Sequence, residues 1–269
     1  MRVALLRGRE HIELGAVDAV GELGVAIALS LGGAPKRYPH SDPNEDAAGF
    51  ACGNAGSCVA VADGHGGAEA AEIALLHLLA EPAAQWTEAP GRLDEKSWRR
   101  QALAALSDAN RDVCRDRARR PGQGACTTVG LAVALPELGL LLSAAVGDSH
   151  LFLVDRAGVR EVAPAGDSVG FLGDDCTGAS DLAAIARIGA EPLAGLRAVV
   201  LVTDGLSERG IGVINPTAAV VEAVRRAERD PSRARGLVLA RALTETALEA
   251  HRRNHSGDNV AVAVLWPSE

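Results

Sequence analysis

The sequence predicts a single α/β or α+β domain with an aliphatic core. Its 269 residues are long for one domain and short for two. Short strand-like apolar segments alternate with longer segments at helical spacing. Hydrophobic residues make up 48% of the chain and aromatic residues only 3%, so Ala, Val, Leu and Ile must fill the interior. No repeat or linker divides the chain, and we expect one domain over residues 1–269 with its core at about 24–265.

Charge and composition exclude several classes of function. A net charge of −8 argues against nucleic acid or an anionic membrane as the main partner, because both need a clustered basic surface. The most apolar stretch, residues 131–146, is broken by Pro136 and Glu137, so no membrane span is expected. Five cysteines without a C-x-x-C pair favour reduced thiols, and no signal peptide is recognised. The expected location is cytoplasmic.

The first half of the chain begins with a strand candidate at 24–30 and a Gly- and Pro-rich loop at 32–44. Residues 47–52 and 57–62 read as two strands joined by a Gly/Asn turn. The strand at 57–62 stops at Asp63-Gly-His-Gly-Gly67. Leucines at helical spacing then predict a helix over 68–80, and a second helix is expected from an Asp94 cap to just before Pro121.

The second half is richer in strands, which we predict at 127–134, 140–145, 150–154, 159–162, 198–203 and 260–265. Gly147-Asp-Ser149 interrupts the sheet formed by the first four. Residues 163–192 are rich in Gly, Asp and Ser and predict a mobile loop with one short helix at about 182–188. Two further helices are expected, opened by Asn215-Pro216 and by Asp230-Pro231.

Acidic residues recur at strand ends or sheet interruptions, beside Gly, Ser or Asn. Each one alone is typical of an ordinary turn. Together they would repel one another unless cations neutralised them, and oxygen ligands of this kind suit Mg²⁺ or Mn²⁺ rather than zinc. The residues are Glu45, Asp46, Asp63, Asp148, Asp204 and Asp258.

The motifs that carry these acids resemble, in this order, those of the metal-dependent serine/threonine protein phosphatases of the type 2C class. They are Asn44-Glu-Asp46, Asp63-Gly-His-Gly-Gly67, Gly147-Asp-Ser149, Asp204-Gly205 and Gly257-Asp-Asn259. The resemblance covers nearly the whole chain. It implies a four-layer α-β-β-α sandwich with two central, mostly antiparallel sheets, a variable flap at about 163–192, and two divalent ions, Mn²⁺ or Mg²⁺, at one edge.

The resemblance also implies a role for each residue of the site. Asp63 would bridge the two ions, and the Gly64 carbonyl would bind one of them. Asp204 and Asp258 would complete the other, while Asp148 would help to hold a third, weaker ion. Glu45 and Asp46 would mainly orient metal-bound waters.

The mechanism implied is attack by a water that the two ions activate, without a phosphoenzyme. His65 would be the general acid that protonates the leaving serine or threonine oxygen. The implied substrate is a protein phosphorylated by a serine/threonine kinase, and the chain is expected to be a monomer. No P-loop is present, which disfavours a kinase or nucleotide motor.

Departures from the family pattern keep two alternatives open. Ser41 stands where the family commonly places a phosphate-binding arginine, and Lys36, Arg37 or His40 in the same loop are candidates to replace it. The chain is therefore either an active phosphoprotein phosphatase or a catalytically weak binding protein of the same fold. A hydrolase of small phosphoesters is a third reading.

Three other histidines are given no role in the chemistry. His77 is predicted in the core or at its rim. His251 and His255 are predicted at a polar helix end, where they would be structural.

Overall fold

The architecture follows from a computed structural model, which describes residues 1–22, 24–91, 93–120, 124–162, 170–174 and 179–267. The first seven strands are β1 (Arg2–Arg7), β2 (Asp18–Glu22), β3 (Val25–Ser30), β4 (Ala47–Cys52), β5 (Ser57–Ala62), β6 (Gly64–His65) and β7 (Cys126–Thr127). The others are β8 (Val129–Leu135), β9 (Leu140–Val146), β10 (His150–Asp155), β11 (Val159–Glu161), β12 (Arg187–Pro192), β13 (Leu196–Val202) and β14 (Val260–Leu265). The α-helices are α1 (Glu69–Leu78), α2 (Glu81–Glu88), α3 (Glu95–Arg119), α4 (Ala179–Ile185), α5 (Pro216–Ala227) and α6 (Arg235–Asn254).

Two six-stranded sheets form the centre of the described molecule. Their strand orders are β1-β4-β5-β8-β9-β12 and β11-β10-β13-β14-β3-β2. All neighbouring strands in both sheets are antiparallel. The short strands β6 and β7 pair separately. The predicted α+β sandwich with two antiparallel sheets is confirmed.

The sandwich has three hydrophobic layers, one between the sheets and one under each helical layer. Helices α1, α2 and α3 cover the first sheet, and α5 and α6 cover the second. Because side chains alternate along a strand, Val262 of β14 faces the helices while Ala263 faces the other sheet. The core is aliphatic as expected, apart from a few aromatic residues such as Trp86 and Trp98, whose rings meet edge to face at 5.1 Å.

Several elements lie where the sequence predicts them. The hairpin β4–β5 has the predicted bounds, and α1 lies within the predicted helix. Asp94 caps α3 through a capping box with Ser97. Asn215 caps α5 by accepting a hydrogen bond of 2.9 Å from the Ala218 amide.

Other predictions of local structure are wrong. Part of the expected loop at 163–192 is strand β12, an edge strand of the first sheet whose Gly189 and Pro192 lack strand propensity but are tolerated at an edge. The remainder of that loop lies partly outside the described residues. Helix α2 was not predicted, although Pro82 occupies its first turn. Helix α6 begins at Arg235 rather than after the expected Asp230 cap.

The interruption at 147–149 is a passage between sheets rather than a break within one. Strand β9 belongs to the first sheet and β10 to the second, so Asp148 lies where the chain crosses from one to the other. Alternating apolar residues look the same in either sheet, and the sequence therefore gave no sign of the crossing.

The cysteines agree only in part with the expectation of reduced thiols. Cys52, Cys58 and Cys126 are free thiols, and burial raises the pKa of each, that of Cys126 to about 11. Cys114 is disulfide-bonded, which departs from the expectation.

Among the described helices, none combines the length and apolar character that a membrane crossing requires.

Candidate metal centre

The predicted acids meet at one edge of the sandwich because the antiparallel register brings their strand ends together. Asp46 directly precedes β4 and Asp63 directly follows β5. The adjacent residues, Ala47 of β4 and Ala62 of β5, are paired. Asp204 follows β13 and Asp258 lies just before β14, and these two strands pair up to Val202. Four acids from two different sheets therefore reach the same edge.

A cavity of about 360 Å³ opens at this edge. Six of its lining residues belong to the predicted set, which leaves only Asp46 and Asp148 of that set outside the lining. The six are Glu45, Asp63, Gly64, His65, Asp204 and Asp258.

The carboxyl groups of the centre carry more negative charge than the protein neutralises. Burial, followed by the charges of Asp63 and Asp258, raises the pKa of Asp46 well above its usual range. Burial and the charges of Asp204 and Asp258 raise the pKa of Asp63 well above its usual range as well. Burial and the charges of Asp258 and Asp148 raise the pKa of Asp204 to about 7. The metal-free centre therefore holds protons that its acids would otherwise lose.

The chemistry of these donors fits hard divalent cations. Carboxylate and carbonyl oxygens are the ligands that Mg²⁺ and Mn²⁺ prefer, and the cavity supplies Asp63, Asp204, Asp258 and the Gly64 backbone. Among the described residues, no three His, Cys, Asp or Glu side chains already converge as a closed ligand set.

Glu45 and Asp46 each engage one carboxylate oxygen in contacts within the protein, and their expected role of orienting metal-bound waters stays a prediction. Glu45 Oε1 accepts hydrogen bonds from the amides of Ser41 and Asp42, at 3.0 and 3.2 Å. Asp46 Oδ2 accepts one of 2.8 Å from Thr203 Oγ1, next to Asp204. Glu45 thus shapes the loop at residues 32–44, which is called the entrance loop below. Asp46 joins the two sheets beneath the centre.

His65 lies beside Asp63 at the mouth of the cavity. Its Nδ1 is 3.3 Å from Asp63 Oδ1, and its side chain is 43% exposed. The ring of Phe171 packs on the imidazole at 4.8 Å between centroids. This arrangement leaves Nε2 free of the Asp63 contact, as a proton donor to an incoming group requires.

Asp148 is exposed and does not line the cavity. Its charge nevertheless raises the pKa values of Asp63 and Asp204, so it lies within electrostatic reach of both. Arg187 of β12 donates a hydrogen bond of 2.5 Å to the carbonyl of neighbouring Gly147. Asp148 is therefore peripheral to the cavity.

Neutral side chains fix the backbone around the metal ligands. Thr128 Oγ1 accepts from the Asp63 amide at 3.2 Å, and Thr127 Oγ1 donates to the Asp63 carbonyl at 2.8 Å. Gly64 must be glycine, because a Cβ there would lie 2.4 Å from the Glu45 carbonyl oxygen. These contacts set the direction in which the Asp63 carboxyl group points.

Asn259 connects the start of β14 to the entrance loop. Its Oδ1 accepts from the Glu45 amide at 2.8 Å, and its Nδ2 donates to the carbonyls of Leu31 and Pro43 at 3.1 and 3.2 Å. The sequence motif included this residue without assigning it a role. Because it follows Asp258 directly, Asn259 holds that acid in register with the loop at 32–44.

His251 was predicted at a polar helix end and is instead fully buried. Its Nε2 contacts the Gly205 carbonyl at 2.7 Å, and its Nδ1 accepts from the Gly33 amide at 3.2 Å. Burial lowers its pKa, so the ring is neutral and Nε2 is the donor. His251 thereby anchors the turn that follows Asp204. His77, as predicted, lies at the rim and pairs with Asp112 at 2.9 Å.

Three further cavity residues lie outside the predicted metal-binding and catalytic set, although Lys36 was a candidate to replace the family arginine. Tyr38 donates a hydrogen bond to Asp258 Oδ1, and the Glu208 amide donates to the Asp204 carbonyl at 2.6 Å. The third is Lys36, which lines the cavity, whereas Ser41 does not. The loop carrying Lys36 and Tyr38 has no periodic pattern, so only its closeness in sequence to Glu45 pointed to the site.

Comparison with known proteins identifies the family. The family model for protein phosphatase 2C matches residues 35–246. The chain belongs to the protein phosphatase 2C family. The matched region contains every predicted site residue except Asp258. No curated protein sequence matches the chain significantly.

Solved structures of bacterial phosphatases share the fold of this family member. The serine/threonine phosphatase PstP/Ppp of Mycobacterium tuberculosis is 21% identical, with 92% of this chain and 100% of that chain covered and a TM-score of 0.65. Stp1 of Staphylococcus aureus is 16% identical, with coverages of 96% and 98% and a TM-score of 0.64. The PstP catalytic domain in complex with two manganese ions is 18% identical, with coverages of 93% and 99% and a TM-score of 0.64.

The raised pKa of Asp204 predicts how the stability of the metal-free protein depends on pH. Folded Asp204 keeps its proton to about pH 7, whereas an unfolded aspartate loses it near pH 4. The folded state therefore binds more protons in this window, and the free energy of unfolding should fall as pH rises, by about 1.4 kcal/mol per pH unit from Asp204 alone. Urea unfolding in chelator at several pH values measures this slope.

Two variants and one addition control the measurement. Asp204→Asn should reduce the slope, while Asp108→Asn, on the surface of α3, should not change it. Saturating Mn²⁺ should stabilise the folded protein most at high pH, where the acids are ionised. A metal-free protein that becomes more stable from pH 5 to 7 would contradict the assignment of buried, uncompensated acids.

Proposed function

We propose that this protein phosphatase 2C family member hydrolyses phosphoserine and phosphothreonine in proteins, with Asp63, Asp204, Asp258 and the Gly64 carbonyl as metal ligands. The observation that carries the proposal is the convergence of buried carboxylates from both sheets on one cavity that His65 also lines. Two divalent ions, when bound, lower the pKa of water and neutralise charge on the phosphoryl group.

The chain's own residues supply ligand positions and a proton. Asp63 would hold both ions, because Asp204 lies close enough for its charge to act on Asp63 and the next residue in the chain is Gly64 of β6. His65 gives its proton to the departing serine or threonine oxygen, which is a poor leaving group without it. Asp63 Oδ1, 3.3 Å from Nδ1, orients the imidazole for that transfer.

Further proposals concern a third ion, the extent of the domain, its location and its substrates. A third, weaker ion is proposed at Asp148, together with Asp204, because the charge of Asp148 acts on Asp204. We further propose a single catalytic domain over residues 1–269, acting as a cytoplasmic monomer on substrates of a serine/threonine kinase. Strands β1 and β2 support the single domain, since they pair with β4 and β3 of the two sheets.

The alternative of a weak, purely binding member of the fold is not favoured. Every inferred metal ligand is present, and all of them except Asp148 line the cavity or lie directly beneath it. The substitution of Ser41 for the family arginine motivated that alternative. Lys36 now supplies a cation in the same cavity.

Hydrolysis of a phosphothreonine peptide with Mn²⁺, with Mg²⁺ and with chelator tests the function. We expect turnover with either ion and none in chelator. Asp63→Asn and Asp204→Asn should each lower kcat by at least about 10²-fold, because each removes a ligand of the ions that activate water. Asp108→Asn, with the same charge change on the surface of α3, should keep the wild-type rate. A purified protein that does not hydrolyse the peptide in saturating Mn²⁺ would refute the proposal that it is an enzyme.

The role of His65 is tested by comparing two leaving groups. His65→Ala should lose about 10²-fold or more on the phosphothreonine peptide. On an activated aryl phosphate the loss should be much smaller, because that leaving group departs without a proton. His77→Ala, which removes a rim histidine paired with Asp112, should behave as wild type on both. Equal losses on the two substrates would remove His65 as the acid.

A further inference from the structure

Lys36 places an ammonium group inside the acidic cavity. Its Nζ lies 3.9 Å from Asp258 Oδ1 and 4.0 Å from Glu45 Oε2, and its side chain is 5% exposed. Among the described residues that line the cavity, Lys36 is the one lysine or arginine. A buried ammonium is costly to desolvate, so its position at the wall of this cavity calls for an anionic partner.

The protein leaves part of the donor capacity of this ammonium unused. Nζ donates a hydrogen bond of 2.5 Å to Asn259 Oδ1. The two carboxylate oxygens, at 3.9 and 4.0 Å, attract it through space but lie beyond hydrogen-bonding distance. Because an ammonium carries three N–H groups, two remain for an oxygen-rich ligand.

Neighbouring residues hold the ammonium in place. Asn259 is itself fixed by three other hydrogen bonds, to Glu45, Leu31 and Pro43. The ring of Tyr38 lies 5.3 Å from Nζ and adds a cation–π contact. Nζ is therefore preorganised, and a ligand that binds it does not have to order a free lysine side chain.

The other polar residues of the loop do not reach the cavity. Arg37 is exposed and does not line the cavity. His40 is exposed, and its Nδ1 meets the Tyr38 carbonyl at 3.0 Å. Ser41 uses its backbone amide to bind Glu45. Of the three cations that the sequence offered as substitutes for the missing arginine, only Lys36 lines the site.

We propose that Lys36 binds the phosphoryl group of the substrate, with its free N–H groups donating to a non-bridging phosphate oxygen and then to the phosphate product. This inference rests on the proposed function and adds the residue that admits the substrate. With the two ions bound, the wall of the cavity still presents Glu45 and Glu208 to an entering phosphate dianion, and a fixed ammonium beside Glu45 offsets that repulsion.

Two substitutions separate the charge of Lys36 from its structural contact. Lys36→Met removes the charge and keeps the length of the side chain. Lys36→Gln also removes the charge but keeps a donor for Asn259, so it protects the fold if the first variant is unstable. Arg37→Met is the matched control, because it removes a cation from the adjacent position outside the cavity.

The readouts are inhibition by inorganic phosphate and the steady-state constants for a phosphothreonine peptide, all in saturating Mn²⁺. Both Lys36 variants should raise the Ki of phosphate and the KM of the peptide by about tenfold or more, because a charge-assisted hydrogen bond is lost. Arg37→Met should stay within about twofold of wild type. An unchanged phosphate Ki in folded Lys36→Gln would overturn the proposal.

Calorimetry separates this role from metal binding and from the proposed function. Removing Lys36 should leave Mn²⁺ affinity unchanged or higher, because a neighbouring positive charge is lost. A fall in Mn²⁺ affinity that accounts for the whole effect would overturn the proposal. If the wild-type protein hydrolyses no phosphoester, the proposed function fails. Phosphate titration of the Mn²⁺-loaded protein then still decides on Lys36: weaker binding by its variants supports the role, and equal or absent wild-type binding overturns it.

Discussion

Mutual repulsion among buried carboxylates is the constraint on which the rest of the structure depends. Burial and the charges of the neighbouring acids raise the pKa values of Asp46, Asp63 and Asp204 together. Without cations the protein must keep protons on these groups or lose stability. The fold tolerates this cost because the acids lie at strand ends, where the ladders of two six-stranded sheets fix the backbone independently of the charges. The same accumulation of acidic groups in the metal-free centre favours the binding of divalent ions.

Uncharged contacts do most of the positioning around this centre. Thr127 and Thr128 fix the backbone of Asp63, Asn259 ties Asp258 to the entrance loop, and neutral His251 anchors the turn after Asp204. Such contacts hold the ligands without neutralising them, so the carboxylates stay available to cations. Lys36 is the exception, because it brings positive charge into the cavity itself. Its ammonium lies beside Asp258 and Glu45, within the cavity that Asp63 and Asp204 also line.

The sandwich was predicted from the family that the ordered acidic motifs resemble, and its two antiparallel sheets are confirmed. Gly, Asn or Ser beside an acid at the end of an apolar strand marked Asp63, Asp204 and Asp258 as candidates, although each alone is typical of a turn. The structure places the three at one cavity, and their role as metal ligands stays a prediction. Edge strand β12 was missed because pairing, rather than propensity, stabilises Arg187–Pro192. Lys36 could not be distinguished from Arg37 and His40, and the burial of His251 could not be predicted. The contacts of Lys36 and His251 join residues more than 200 positions apart in the chain, to Asn259 and to Gly33. Such contacts exist only after both sheets have formed.

We propose that acids from both sheets form one binuclear centre in which Asp63 is shared. Titration of the metal-free protein with Mn²⁺ by calorimetry at near-neutral pH tests this proposal directly, with the bound metal counted independently by elemental analysis. We expect two tightly bound ions per chain in the wild type. Asp63→Asn should weaken both, and Asp108→Asn, on the surface of α3, should weaken neither. A wild-type protein that binds no Mn²⁺, or an Asp63→Asn variant that still binds two ions with wild-type affinity, would contradict it.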